Sequence, residues 1–252
     1  MSKQLPQRIN VKKCFNEYVK DFGGELVSEL LSKTPIYNAD YLFRNQSVVA
    51  ELKCLEKDFF HDKKNHSKLK SMYDKWVHEG IIQPNGLGRI IINTKELPMK
   101  CQIEVANFAK EIVQRRIRKA NKQIKLTKDH FGLPDAKGLL LLVNDGNYFL
   151  ESNAIMYTLS RILKAKYTSI NSVVYFTVNI VANMPGIDRN VLVWVDAAHR
   201  DTVDGVSRNF LDALREGWIS FLKRKIGEDI PQIYIGDKYH QSSIEEIKFK
   251  HS

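Results

Sequence analysis

Along the first fifty residues the apolar positions recur with two different spacings, and the change from one to the other separates helix from strand. From Val11 to Phe22 they fall at Cys14, Phe15, Tyr18, Val19 and Phe22, three or four apart, one face of a helix stopped by Gly23-Gly24. A second short helix is expected over 25–32. The spacing then drops to two. Pro35-Ile36-Tyr37-Asn38-Ala39-Asp40-Tyr41-Leu42-Phe43 and Ser47-Val48-Val49-Ala50-Glu51-Leu52-Lys53 are β-branched and aromatic runs flanking the polar Arg44-Asn45-Gln46-Ser47, the pattern of an antiparallel hairpin. With Asn45 and Gln46 at the tip, 44 pairs with 47 and Asp40 stands opposite Glu51. The alternation predicts Asp40, Glu51 and Lys53 on one face. Ala39, Tyr41, Phe43, Val48, Ala50, Leu52 and Cys54 fill the other.

Beyond the hairpin the pattern predicts a polar helix over 67–79, a buried strand at 89–93 and a long helix whose inward stripe is Val113, Ile117, Ala120 and Ile124. Strands follow at 138–143, 172–178 and 191–195, with helices over 154–164 and 207–225. Strands alternating with helices predict an α/β fold in which a mixed central β-sheet, antiparallel at the hairpin, is flanked by helices. No Pro/Gly/Ser-rich linker, repeat or low-complexity tract divides the 252 residues, so a single domain over 1–252 is expected.

Two carboxylates facing each other across a hairpin repel, and directly opposed like charges destabilise a sheet. Two readings of the pair are open. Lys53 offsets the acids across an exposed strand face, or a divalent cation does so between them. Mg²⁺ takes one or two carboxylates together with waters and phosphate oxygens, which is the ligand set on offer here. Lys53 would then stand beside the cation, placed to orient or deprotonate a water, and attack on a phosphodiester would follow.

Asp40 followed by Glu51-Leu52-Lys53 at the end of the next strand resembles the signature of the PD-(D/E)xK nuclease superfamily, whose fold restriction endonucleases, resolvases and many repair and defence nucleases share. Asn38-Ala39 stands where the family usually has a proline before the acid. The order of helix, hairpin, helix and further strands is similar to that family's restriction endonuclease-like core. The resemblance implies Mg²⁺, with Mn²⁺ able to substitute, held by Asp40, Glu51 and the Leu52 carbonyl, with Lys53 serving the attacking water. It implies a further acid from the first helix, Glu17, with Glu25 and Glu29 competing for the role. It also implies a glutamine on a later helix lining the site, for which Gln123 is the counterpart; Gln123 could equally satisfy a buried backbone group. Glu-x-Lys by itself arises about once by chance in a chain like this. Glu246-Ile247-Lys248 is such an occurrence, with no apolar strand before it and no acid opposite.

Charge widens the picture. Lys and Arg number 39 against 29 Asp and Glu, a formal net charge of +10, which favours nucleic acid through counterion release and would also draw the chain to an acidic membrane surface. The densest positive segment is the long helix, where Arg115, Arg118, Lys122 and Lys125 form a stripe, with Arg116, Lys119 and Lys128 alongside. That stripe is either a track for phosphates or a solvated helix face. Three functions of different class remain: a Mg²⁺-dependent nuclease acting on DNA, a non-catalytic basic nucleic-acid-binding protein, and an enzyme on a small phosphorylated substrate. Cleavage of both strands would favour a homodimer. No apolar run nears the roughly 18 residues that span a bilayer and the N-terminus lacks an apolar signal core, so no membrane partner and a cytoplasmic location are expected. Cys14, Cys54 and Cys101 are too scattered for a disulfide framework, and His61 and His66 lie in a lysine-rich stretch read as solvated, so no structural zinc is expected. Asn144-Asp145-Gly146-Asn147 reads first as a turn; Asp145 is an outside candidate because strand ends in α/β folds are where ligands bind.

Overall fold

The computed structural model describes residues 8–31, 37–55, 63–84, 96–145, 159, 167–179, 193–198 and 205–227. The expected strand at 89–93, the expected helix over 154–164 apart from Leu159, and the second Glu-x-Lys at 246–248 lie outside those residues. Helix α1, Val11–Asp21, starts where the Asn10 side chain accepts from the Lys13 N–H and buries Val11, Cys14, Phe15, Tyr18 and Val19. The helix expected over 25–32 is shorter than its pattern. A two-residue strand β1, Glu25–Leu26, pairs with the hairpin first, and only Val27–Leu30 turns into helix α2. The sheet edge takes up the backbone groups that the first turn of a longer helix would have left unpaired.

The hairpin forms in the expected register. Strand β2, Tyr41–Phe43, pairs antiparallel with β3, Val48–Leu55, through Tyr41↔Ala50, Leu42↔Val49 and Phe43↔Val48. Arg44–Gln46 make a single 3-10 turn between them, closed by the Ser47 N–H on the Arg44 carbonyl with Ser47 at φ +52°. Helix α3, Lys63–His78, and the 33-residue helix α4, Met99–Phe131, follow. At 1.5 Å per residue α4 is about 50 Å long. It runs back across the sheet to deliver the chain to β4, Lys137–Asp145, which lies parallel to β3; β5, Ser172–Val178, lies parallel to β4. Strand β6, Trp194–Ala198, closes the far edge antiparallel, and helix α5, Arg208–Ile226, ends the described chain. The sheet is six-stranded and mixed, in the order β1-β2-β3-β4-β5-β6.

Helices cover both faces, so the sheet is the middle layer of three. On one face Val113, Ile117, Ala120 and Ile124 of α4 meet Leu42, Val49, Leu55, Leu140, Leu142 and Val173. On the other, α1 and α5 place Phe15, Tyr18, Leu214 and Trp218 against Tyr41, Val48, Ala50, Leu52, Leu141 and Phe176. The period of two therefore holds along β3, but two expectations need correction. The Glu51 side of the hairpin is not an open polar face: α4 roofs it, and Val49 and Leu55 are buried there as deeply as Ala50 and Leu52 are behind. A strand with parallel β4 beside it is interior on both faces. Ala39, in turn, packs with the α4 layer and not with Tyr41, because the chain bends at Asp40 before the β2 ladder begins. No helix among the described residues is long and apolar enough to cross a membrane.

Candidate metal centre

Strands β2 and β3 part company at Ala50. The β2 ladder starts at Tyr41, opposite Ala50, while β3 continues to Leu55 and stays paired with β4 as far as Leu55↔Asn144. Past Ala50 the side of β3 that faced β2 has no strand partner among the described residues. Asp40, the residue just before β2, fills the first gap: its Oδ2 accepts the Leu52 N–H at 3.0 Å. The N–H and carbonyl of one strand residue point to the same side. The Leu52 carbonyl is thereby directed into the same fork.

Glu51 and Lys53 project from β3 toward α4. The Glu51 carboxyl is 1% exposed; Oε1 accepts from Lys53 Nζ, and Oε2 is buried with no hydrogen-bond partner among the described residues. Lys53 Nζ also donates to Gln123 Oε1 at 2.7 Å, and Gln123 Nε2 donates to the Asn38 carbonyl at 2.7 Å. One turn on, the Thr127 hydroxyl accepts from the Ala39 N–H at 2.7 Å. Helix α4 thus fixes both the segment carrying Asp40 and the ammonium beside Glu51. From the opposite layer α1 supplies Lys12, whose Nζ lies 2.6 Å from Asp40 Oδ1.

Burial is the first cause of the raised Glu51 pKa, the Asp40 charge the second; Lys53 works against both, and the result is a carboxyl pushed up to about 7. An ion pair with Lys53 would by itself argue for a fully ionised acid. It loses because burial and the neighbouring Asp40 charge outweigh it. Burial also works to lower the Lys12 pKa, but the hydrogen bond to Asp40 and the charges of Asp40 and Glu51 outweigh it and leave it raised.

The expected residues divide accordingly. Asp40, Glu51, Leu52, Lys53 and Gln123 come together. Glu17 does not join them: it faces α5, where its carboxylate is 2.6 Å from Lys225 Nζ and is held below the usual carboxylate range by that bond. The α1 stripe had already turned Tyr18 and Phe22 inward, and Glu17 falls on the α5 side of it. Glu25 and Glu29 pair with Arg44 and Lys20. Gln123 is 8% exposed, inside the site and not on the basic track with Arg115, Arg118, Lys122 and Lys125, which are all less buried. Lys128 leaves that track as well; it is buried, and burial lowers its pKa. Arg115 and Arg118 line a groove of about 380 Å³ between α3 and α4, together with Lys64, Lys68 and Phe108. Asp145 accepts from Asn179 at 2.6 Å and pairs with Arg8 at 3.4 Å, a buried carboxylate tying strand ends together.

Lys12 and Asn38 escaped sequence reasoning. Asn38 acts through its backbone carbonyl, which no residue type advertises. Lys12 had one weak signal, a cation in a helix first turn that holds no acid.

The donors in the fork suit a hard divalent cation better than a soft one. Among the described residues no group of three or more His, Cys, Asp and Glu side chains converges to hold a metal ion. Two carboxylates and a strand carbonyl suit Mg²⁺, which keeps waters and takes phosphate oxygens for the rest. The unpartnered Glu51 Oε2 fits directly, since a buried polar atom is otherwise satisfied. No protein-family model, curated protein or solved structure matches this chain.

Proposed function

We propose that this protein is a Mg²⁺-dependent nuclease that hydrolyses phosphodiester bonds of DNA, built on a restriction endonuclease-like core. The observation that carries the reading is the buried Oε2 of Glu51, without a hydrogen-bond partner among the described residues and within reach of the Asp40 charge. A fold gains nothing by leaving a carboxylate oxygen there; a cation site does. Support also comes from the antiparallel hairpin leading into parallel β4 and β5, which agrees with the order of elements in the family that the Asp40, Glu51, Lys53 pattern resembles.

Asp40, Glu51 and the Leu52 carbonyl are the groups that would hold the cation, Mg²⁺ or Mn²⁺. When bound, it supplies charge neutralisation at the phosphate and acidifies a water. Everything else falls to the chain. Glu51 must give up its proton to bind, which a pKa near 7 allows at neutral pH. With a cation on Glu51 Oε2, Lys53 Nζ would still be held by Glu51 Oε1 and Gln123, and the last of its three donors would be left to orient the attacking water. The solvent-facing cations of α4 meet backbone phosphates without reading sequence.

The experiment is incubation of supercoiled plasmid with protein and Mg²⁺, alongside Glu51→Ala and Lys53→Ala. We expect nicking or linearisation by the native protein and a loss of about 10²-fold or more in either variant. Equal cleavage by all three rejects the site. Salt-dependent DNA binding with no scission under Mg²⁺ or Mn²⁺ supports the second reading, a binding protein, which the solvent-facing Arg115, Arg118, Lys122 and Lys125 favour independently of the fork.

A further inference from the structure

Lys12 stands in the first turn of α1, where the positive end of the helix dipole disfavours an ammonium and no acid in that turn offsets it. Its explanation lies outside the helix. Lys12 Nζ is 2.6 Å from Asp40 Oδ1, on a side chain 53% exposed against 16% for Asp40. The two Asp40 oxygens have separate tasks: Oδ2 accepts the Leu52 N–H of the strand, and Oδ1 takes the ammonium. Oδ1 is therefore the oxygen a cation would need. Glu51, whose carboxyl feels the Asp40 charge, presents the reverse case: its buried Oε2 has no hydrogen-bond partner among the described residues. Lys12 thus neutralises Asp40, while Lys53 pairs with the other oxygen of Glu51.

We infer that Lys12 is a built-in substitute for the metal ion: its ammonium and a divalent cation compete for Asp40 Oδ1. In the metal-free protein Lys12 cancels the Asp40 charge and keeps the acid in place beside Leu52. When the cation takes Oδ1, the long, half-exposed side chain is released at the mouth of the site, carrying its charge to where an anionic backbone approaches. Lys12 thereby sets a threshold on cation concentration. It is a positioning residue, acting on the cation through Asp40. The inference rests on the metal-site reading above and deepens it.

The test is a calorimetric titration of the DNA-free protein with Mn²⁺ at pH 8, using native protein, Lys12→Gln, Lys12→Arg, Asp40→Asn, and the Asp40→Asn, Lys12→Gln double variant. Removing the competitor is expected to tighten Mn²⁺ binding about fivefold or more, the low end of coupling between linked ligands. Lys12→Arg keeps the charge and should bind as the native protein does, which also guards against a folding artefact at this position. In the Asp40→Asn background the Lys12→Gln gain should vanish. Equal or weaker Mn²⁺ binding by Lys12→Gln overturns the inference alone and leaves the nuclease reading standing. Absence of a Mn²⁺ signal from both native protein and Lys12→Gln overturns the cation site and the inference together.

Discussion

Glu51→Gln separates the charge of the buried carboxyl from its shape. In the metal-free protein the folded-state pKa of about 7 lies above the ordinary 4.5, so the native state holds a proton that the unfolded chain has released. Stability from this group is therefore complete below pH 4.5 and is lost as pH rises to about 7, beyond which the loss levels off. At about 1.4 kcal/mol for each tenfold shift in proton affinity, the whole change is about 3 kcal/mol, of which about 2–3 falls between pH 5 and pH 8. Glutamine occupies the same volume, can still accept from Lys53 and never ionises. Urea unfolding in EDTA at pH 5, 6, 7 and 8 should show the variant gaining about 2–3 kcal/mol on the native protein across that range, with the other carboxylates cancelling in the difference. Saturating Mn²⁺ should erase the gap by stabilising only the native protein, about 2.7 kcal/mol at a hundred times Kd. Parallel pH curves for the two proteins in EDTA would refute the claim that burial leaves Glu51 uncompensated. Without that claim the reason for a cation there is gone.

The remaining expectations concern the supports of the site. Gln123→Leu strips the Asn38 carbonyl of its donor and Lys53 of an acceptor, and should cost about 1–3 kcal/mol in denaturant unfolding while lowering plasmid cleavage. Arg115→Ala with Arg118→Ala should weaken DNA binding and flatten the dependence of log K on log salt by about 0.9 for each duplex phosphate that is no longer neutralised, read by fluorescence anisotropy in EDTA. Gly138→Ala drives a methyl group into the Ser169 carbonyl, where backbone on both sides has no room to give, and should cost about 3 kcal/mol or more by thermal melt.

Much of this was legible from spacing alone, and where it was not the cause is physical. The α1 stripe, the hairpin register and the inward stripe of α4 follow from periods of 3.6 and 2, which backbone geometry imposes locally. Asp40 opposite Glu51 needed only a count across the turn. The long-range part was hidden. Nothing in Val48 to Leu55 says that α4 will lie over the Glu51 side, so an exposed strand face stays open as one of the two sequence readings where the structure has a roofed one. The same covering helix explains Gln123, whose two bonds reach residues 70 and 85 positions away. Glu17 shows the converse error. Its helix was read correctly, but the ends of the apolar stripe could not say whether the neighbouring face meets the fork or α5. Lys12 on that helix meets the fork instead, and Lys225 claims Glu17.

A strand interior on both faces has no structural need of an acid and an amine. Positions 49 and 55 of β3, on the same side as Glu51, are Val and Leu, and the facing β4 positions are Leu140 and Leu142. An apolar residue at 51 and another at 53 would continue that layer, and replacing a buried ion pair with well-fitted hydrocarbon is commonly neutral or stabilising. The pair is moreover incomplete: Lys53 is shared between Glu51 and Gln123, and half of the Glu51 carboxylate stays without a donor. Gln123, Thr127 and Asp40 use their hydrogen bonds to hold this corner in one geometry, while the β2 ladder begins only at Tyr41, opposite Ala50. Rigidity around an unsatisfied group is the arrangement that preorganises a ligand site, because the cost of ordering the ligands is met during folding and not on binding. The same corner is too well ordered to be an accident of surface charge and too poorly satisfied to be a stabilising core.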